Sequence, residues 1–164
     1  MRAIGWLKPF IIGFAWSGLV TVYPIFFRQL QSGIAKEAFI FPSGLYWLQN
    51  FLFISVLAIV FDIKDHTTDI RYGLKTYPAL LGISKTLHLV VVPVTLLSLG
   101  SLFLYGYYTQ LSFAPALVQT IPYILLLMII PLLKTPRSTL FYLTCIDGLM
   151  LTKGVCGIIS ILFL

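Results

Sequence analysis

"LYWLQNFLFISVLAIVF" fills residues 45–61 and runs without a break into "DIKDHTTDIRYGLKTYPALLGISK" at 62–85. The first piece carries no charge, while the second holds three of the chain's five acidic residues within eight positions, together with Lys64, Arg71, Lys75, Lys85 and the glycines Gly73 and Gly82. A hydrocarbon core of about 30 Å takes roughly 20 apolar residues of helix. The junction therefore reads as a membrane helix that delivers a carboxylate cluster to the bilayer surface.

The rest of the chain agrees with that reading. Of 164 residues 59% are hydrophobic and 10% charged, with a mean hydropathy of +0.99, whereas soluble globular domains carry about 25% charged residues. This excludes an ordinary soluble domain and predicts an integral membrane protein. Five windows are long and apolar enough to span, at about 9–27, 45–61, 86–105, 113–133 and 141–164. The fold class expected is all-α, a polytopic transmembrane helix bundle forming a single domain over residues 1–164. Arg2 and Lys8 before the first window imitate a signal peptide, but no small-residue cleavage pattern follows the run, so a retained span is expected.

Basic residues near the span ends set the expected orientation. Arg2, Lys8, Lys64, Arg71, Lys75, Lys85, Lys134 and Arg137 fall on one side and only Arg28 and Lys36 on the other. The first side, with the loop 62–85, is expected to be cytoplasmic at an inner or plasma membrane. Topology at an anionic leaflet accounts for the net charge of +6, and no nucleic-acid partner is expected. Tyr46, Trp47, Tyr105, Tyr107 and Tyr108 lie where spans meet the opposite headgroups, as interfacial belts do. Pro24, Pro93, Pro122 and Pro131 are expected to kink or break their helices. Cys145 and Cys156 share one span, about 16 Å apart along a helix, which is beyond disulfide reach.

If the second span stays helical past Phe61, Asp62, Asp65 and Asp69 lie within about 60° of one another on one face. Lys64 and Arg71 then fall on the opposite side, toward lipid phosphates. Gly73 permits a turn that brings Lys75 back toward the acids. Three like charges stay ionised only when cations or donors compensate them. Mg²⁺ suits the role, because it is typically held by one or two carboxylates while phosphates and water complete its shell. A lysine nearby acts as a point charge on a phosphate. A solvated acidic interfacial helix is the plainer account of the same spacing.

The pattern Asp62-x-x-Asp65-x-x-x-Asp69-x-x-x-Gly73-x-Lys75-Thr76-x-Pro78, closing on Gly82, resembles the second aspartate-rich motif of the UbiA superfamily of intramembrane prenyltransferases. Leu7 and Lys8, followed by Gly13, Trp16 and Pro24, are similar to that family's region after its fourth span, although Ile4 stands where many members have tyrosine. The resemblance implies spans five to nine of a nine-helix fold. It also implies transfer of a prenyl group from a prenyl diphosphate to an aromatic or other lipophilic acceptor, with Mg²⁺ as cofactor. By position Asp65 and Asp69 would hold the metal, Asp62 would support that site, and Lys75, with Lys8, would grip the diphosphate. The family's first motif, Asn-x-x-x-Asp-x-x-x-Asp, is absent from this chain. Catalysis is therefore expected of a longer gene product, or of this chain beside a separate N-terminal half, with a degenerate remnant as the third account.

Other polar residues admit other classes. His66 lies about 40° from the acid face, which would suit a transition metal; a loop histidine with local hydrogen bonds is the plainer account. His88 reads as packing near the interface. Asp147 and Lys153 stand inside a span, about 120° apart around the helix, and have either a structural or a cavity-lining role. A divalent-cation transporter with the acids as its vestibule, and a non-catalytic membrane subunit, are the competing functions. Transport predicts acids at the midplane of several spans, and only Asp147 lies inside one.

Overall fold

The computed structural model describes residues 5–32, 41–135 and 137–162. Arg2, Ile4 and Lys36, on which part of the charge and motif reading rests, lie outside them, as do the side chains of Arg28, Gln29 and Ser32. The described residues form an all-α bundle with five helices long and apolar enough to cross a membrane: α1 (Gly5–Phe27), α2 (Phe41–Lys64), α5 (Ile83–Thr109), α6 (Phe113–Lys134) and α7 (Thr139–Leu162). Two short helices, α3 (His66–Arg71) and α4 (Tyr77–Leu81), make up the segment between α2 and α5. The first four expected windows sit inside these helices, which extend them by up to four residues, and the fifth matches α7 up to Leu162, its last two residues lying outside the described ones. Helices continue into the interfacial residues at their ends, where apolarity has already fallen.

Three of the four prolines expected to disturb their helices do so, each by a specific device, while the helix runs on through Pro122. A proline lacks the N–H that would bond four residues back, and its ring crowds that carbonyl. Before Pro24 and before Pro93 the helix widens into π-turns, at Gly18–Val22 and Leu87–Val91, which take up the misfit. At Pro131 the chain tightens into a 3₁₀ turn, Ile130–Lys134. Pro122 sits inside α6 and is buried.

α2 is the hub of the bundle. Its inner half is buried all round, with Phe53, Val56, Leu57, Ile59, Val60 and Ile63 packed against Leu87 and Val91 of α5, Tyr123 and Leu126 of α6, and Tyr142 and Leu149 of α7. α1 closes on its other flank through a glycine. A Cβ at Gly13 would overlap Ser55 Oγ and stand 2.8 Å from the Phe51 carbonyl oxygen. Without a side chain there, the helices approach closely, as small residues allow in membranes. Asn50 Nδ2 then donates to Thr21 Oγ1 across the same interface at 2.9 Å. At the end of α2 remote from the acids, Tyr46 pairs with Tyr105 (ring centroids 5.2 Å) and Phe41 with Tyr108 (5.1 Å), which places the aromatic belt there.

Candidate functional site

α2 ends at Lys64, and the chain does not stay helical through the acidic stretch. Asp65 leaves the helix at φ −94°, ψ 9°, and caps α3. The turn still holds: the Asp65 N–H donates to the Asp62 carbonyl (3.2 Å) and the Asp69 N–H to the Asp65 carbonyl (2.8 Å). The three acids consequently do not form one continuous stripe. Asp62 and Asp69 turn inward, 2% and 7% exposed. Asp65 turns outward, its carboxylate 3.6 Å from Lys64 Nζ. Lys64, placed away from the acids by helical angle alone, reaches Asp65 because the helix stops between them; its ammonium also sits 4.1 Å from the Phe61 ring centroid.

Each inward acid has one partner from a distant part of the fold. Lys8 Nζ donates to Asp62 Oδ1 at 2.9 Å across 54 residues of sequence. The lysine side chain is 56% exposed while that of Asp62 is 3% exposed, so the pair is a buried carboxylate with a cation at its mouth. The other carboxylate oxygen, Asp62 Oδ2, is buried without a hydrogen-bond partner among the described residues. Asp69 Oδ2 accepts from Thr76 Oγ1 at 2.8 Å. Thr76 lies beside Lys75 and enters the sequence pattern with no role assigned to it.

The 73–82 segment explains how that threonine arrives. Gly73 at φ 66° makes the reversal after α3 that a side chain would oppose. Gly82, at φ 79°, ψ 159°, occupies a region open in practice only to glycine and sets α4 against α5. α1 then locks the segment, because a Cβ on Gly5 would stand 2.9 Å from the Lys75 carbonyl carbon. Tyr77 packs edge-on to Phe10, centroids 6.3 Å apart, and burial pushes its phenol above the ordinary pKa.

Lys75 itself is exposed, and among the described residues it forms no ion pair; the expected return toward the acids brings Thr76 inward instead. Lys8 is the cation nearest the acids. His66 Nδ1 is buried with no hydrogen-bond partner, while His88 Nδ1 lies 2.8 Å from the Ser84 carbonyl oxygen. Among the described residues no three His, Cys, Asp or Glu side chains converge as a metal-holding group. Asp62 Oδ2 is thus a free buried acceptor, and Mg²⁺ needs only one or two carboxylates when phosphates supply the rest.

A second polar cluster lies deeper in the membrane, unforeseen as a network. Lys153 Nζ donates to the Tyr123 hydroxyl at 2.9 Å, Tyr123 donates to Gln49 Oε1 at 3.3 Å, and Ser98 Oγ donates to the Gln49 carbonyl at 2.7 Å. Asp147 is exposed on the same helix. No family model, curated protein or solved structure matches this chain.

Proposed function

We propose that this chain is the diphosphate-gripping portion of a UbiA-like intramembrane prenyltransferase, in the inner or plasma membrane with α3 and α4 facing the cytoplasm. The observation that carries the reading is the Asp62 carboxylate, buried at the end of a membrane helix with Lys8 on one oxygen and, among the described residues, no partner on the other. A buried carboxylate with one oxygen open in such a place is held in its charged form by a cation or a donor.

The chain's own residues divide the work. Lys8 holds Asp62 charged and in place. Thr76 fixes the rotamer of Asp69, and the turn at Gly73 presents Lys75 in the open, where an ammonium can meet a diphosphate arriving from the aqueous side. The apolar bundle behind them takes the isoprenoid tail and keeps water from a carbocation-like centre. Mg²⁺, when bound, would neutralise charge on the leaving diphosphate. The acceptor is an aromatic or other lipophilic molecule within the bilayer.

The family's first aspartate motif is absent from this chain, so the reading applies to the chain together with helices supplying that motif. A cation pathway fits less well, because the charged side chain lining the deep cavity is Lys153, which repels cations. The test is pyrophosphate release from a prenyl diphosphate in membranes that contain the protein with its native partners. Release should require Mg²⁺ and fall steeply in Asp69→Ala and Asp65→Ala. Release indifferent to chelation and to both substitutions, or divalent-metal flux without pyrophosphate, overturns it.

A further inference from the structure

Lys153 stands inside a span without a carboxylate beside it among the described residues. Ionisable groups inside a membrane pair with one another or with backbone carbonyls. Among the described residues the ion pairs are Lys8–Asp62 and Lys64–Asp65, and Lys153 has no carboxylate within reach. Its ammonium has neutral company: the Tyr123 hydroxyl, and the rings of Phe53 and Tyr123 with centroids at 4.5 and 4.6 Å.

The lysine also lines a half-open cavity of about 510 Å³ between α2, α6 and α7, within the size range of sites that enclose a small-molecule ligand. Lys153 supplies the one formal charge on its wall. Gln49, Asn50 and Gln119 add amides, and Tyr46 and Tyr105 line the belt end of the space. The remaining wall is apolar, including Ile54, Leu111 and Ile158.

A single negative charge suffices to balance a single ammonium in a low-dielectric cavity. A diphosphate brings several, and a two-chain phosphodiester lipid brings one charge with more hydrocarbon than this volume holds. We infer that the cavity binds a single-chain carboxylate amphiphile of the fatty-acid class, its carboxylate on the Lys153 ammonium and its chain along the apolar wall. The site is separate from the aspartates: Gln49 and Asp62 lie about 20 Å apart along α2 at 1.5 Å per residue. The inference does not depend on prenyl transfer.

The experiment uses the full chain in phosphatidylcholine nanodiscs, titrated with oleate, methyl oleate and phosphatidylglycerol. Bound lipid is counted by native mass spectrometry, and the site is mapped with a diazirine analogue of palmitate. Oleate should bind one per chain. Methyl oleate, which lacks the charge, should bind more weakly by roughly tenfold or more. Phosphatidylglycerol should not displace oleate, and cross-links should fall near residues 49–54 or 153–161. Lys153→Met should lose oleate by a similar factor, while Lys85→Gln, exposed in the first turn of α5, keeps it. No oleate binding, equal binding of acid and ester, displacement by phosphatidylglycerol, cross-links elsewhere or full affinity in Lys153→Met each overturns the inference. Should Lys153→Met not fold, the acid–ester pair on the unaltered protein still decides it.

Discussion

The acidic end of α2 and its middle, where Lys153 of α7 sits over the Phe53 ring, handle buried charge in opposite ways. At its acidic end Asp62 is buried, and the chain reaches across 54 residues to set Lys8 against it. Deeper in the bilayer Lys153 is surrounded by hydroxyl, amide and aromatic groups, with no acid in reach among the described residues. A charge near the interface can be balanced by a side chain that remains partly in water. A charge at depth has no such choice, so it is balanced by a buried partner, by a bound ligand, or only in part. The first arrangement keeps a carboxylate ready; the second keeps a place for an anion.

The sharpest way to break this comparison is to remove an inward acid. Asp69→Ala should lower Mg²⁺-dependent pyrophosphate release by on the order of 10²–10³, the usual cost of deleting a group that stabilises developing charge. Oleate retention at Lys153 should not change. If both activities fall together, the two sites are one site, and the contrast between them is mistaken.

Gly13 joins the two regions, because it lets α1 close on α2 and so positions both Lys8 against Asp62 and Thr21 against Asn50. Gly13→Leu should destabilise the bundle by about 1–3 kcal/mol, as overpacking does, with the upper end expected since the obstacle at Phe51 is backbone. The check is the midpoint of unfolding in mixed dodecyl sulfate micelles. Full stability in Gly13→Leu would show that α1 is not held where it is described.

Lys8→Met separates the two regions more finely. It leaves Asp62 with neither oxygen paired, at about 1–3 kcal/mol for an orphaned buried group. The lower half of that range is expected because water reaches the half-exposed ammonium in the parent protein. Adding Asp62→Asn should recover part of the loss, and that recovery, read by a double-mutant cycle, measures the pair. No recovery would mean that the ion pair contributes nothing.

Much of this architecture is visible in the sequence, and the reasons it stops are physical. Five apolar windows give five helices because the bilayer imposes a length. Gly73 marks a reversal because glycine takes a positive φ without strain. The acids cluster visibly at 62–69, but their division into two inward and one outward depends on Asp65 leaving the helix. That break accompanies contacts from elsewhere: Lys8 on Asp62, Thr76 on Asp69, and Gly5 against the Lys75 backbone. Helical angles carry no information about such contacts, so Lys75 was expected inside where Thr76 stands. The Lys153 network is harder still, since Gln49, Ser98, Tyr123 and Lys153 come from four helices and no spacing relates them.

The smallest effect expected probes that network. Tyr123→Phe removes the hydroxyl that accepts from Lys153 and donates to Gln49, while keeping the ring beside the ammonium and against Phe53, centroids 5.2 Å apart. Hydrogen bonds between membrane helices average about 0.6 kcal/mol in mutant cycles, and a loss of that order is expected in the unfolding midpoint. Oleate should then bind somewhat more tightly, because an ammonium deprived of its hydroxyl has more to gain from a carboxylate. Weaker oleate binding in Tyr123→Phe would instead make the hydroxyl part of the anion's own cradle, and would place the ligand deeper against α6 than Lys153 alone requires.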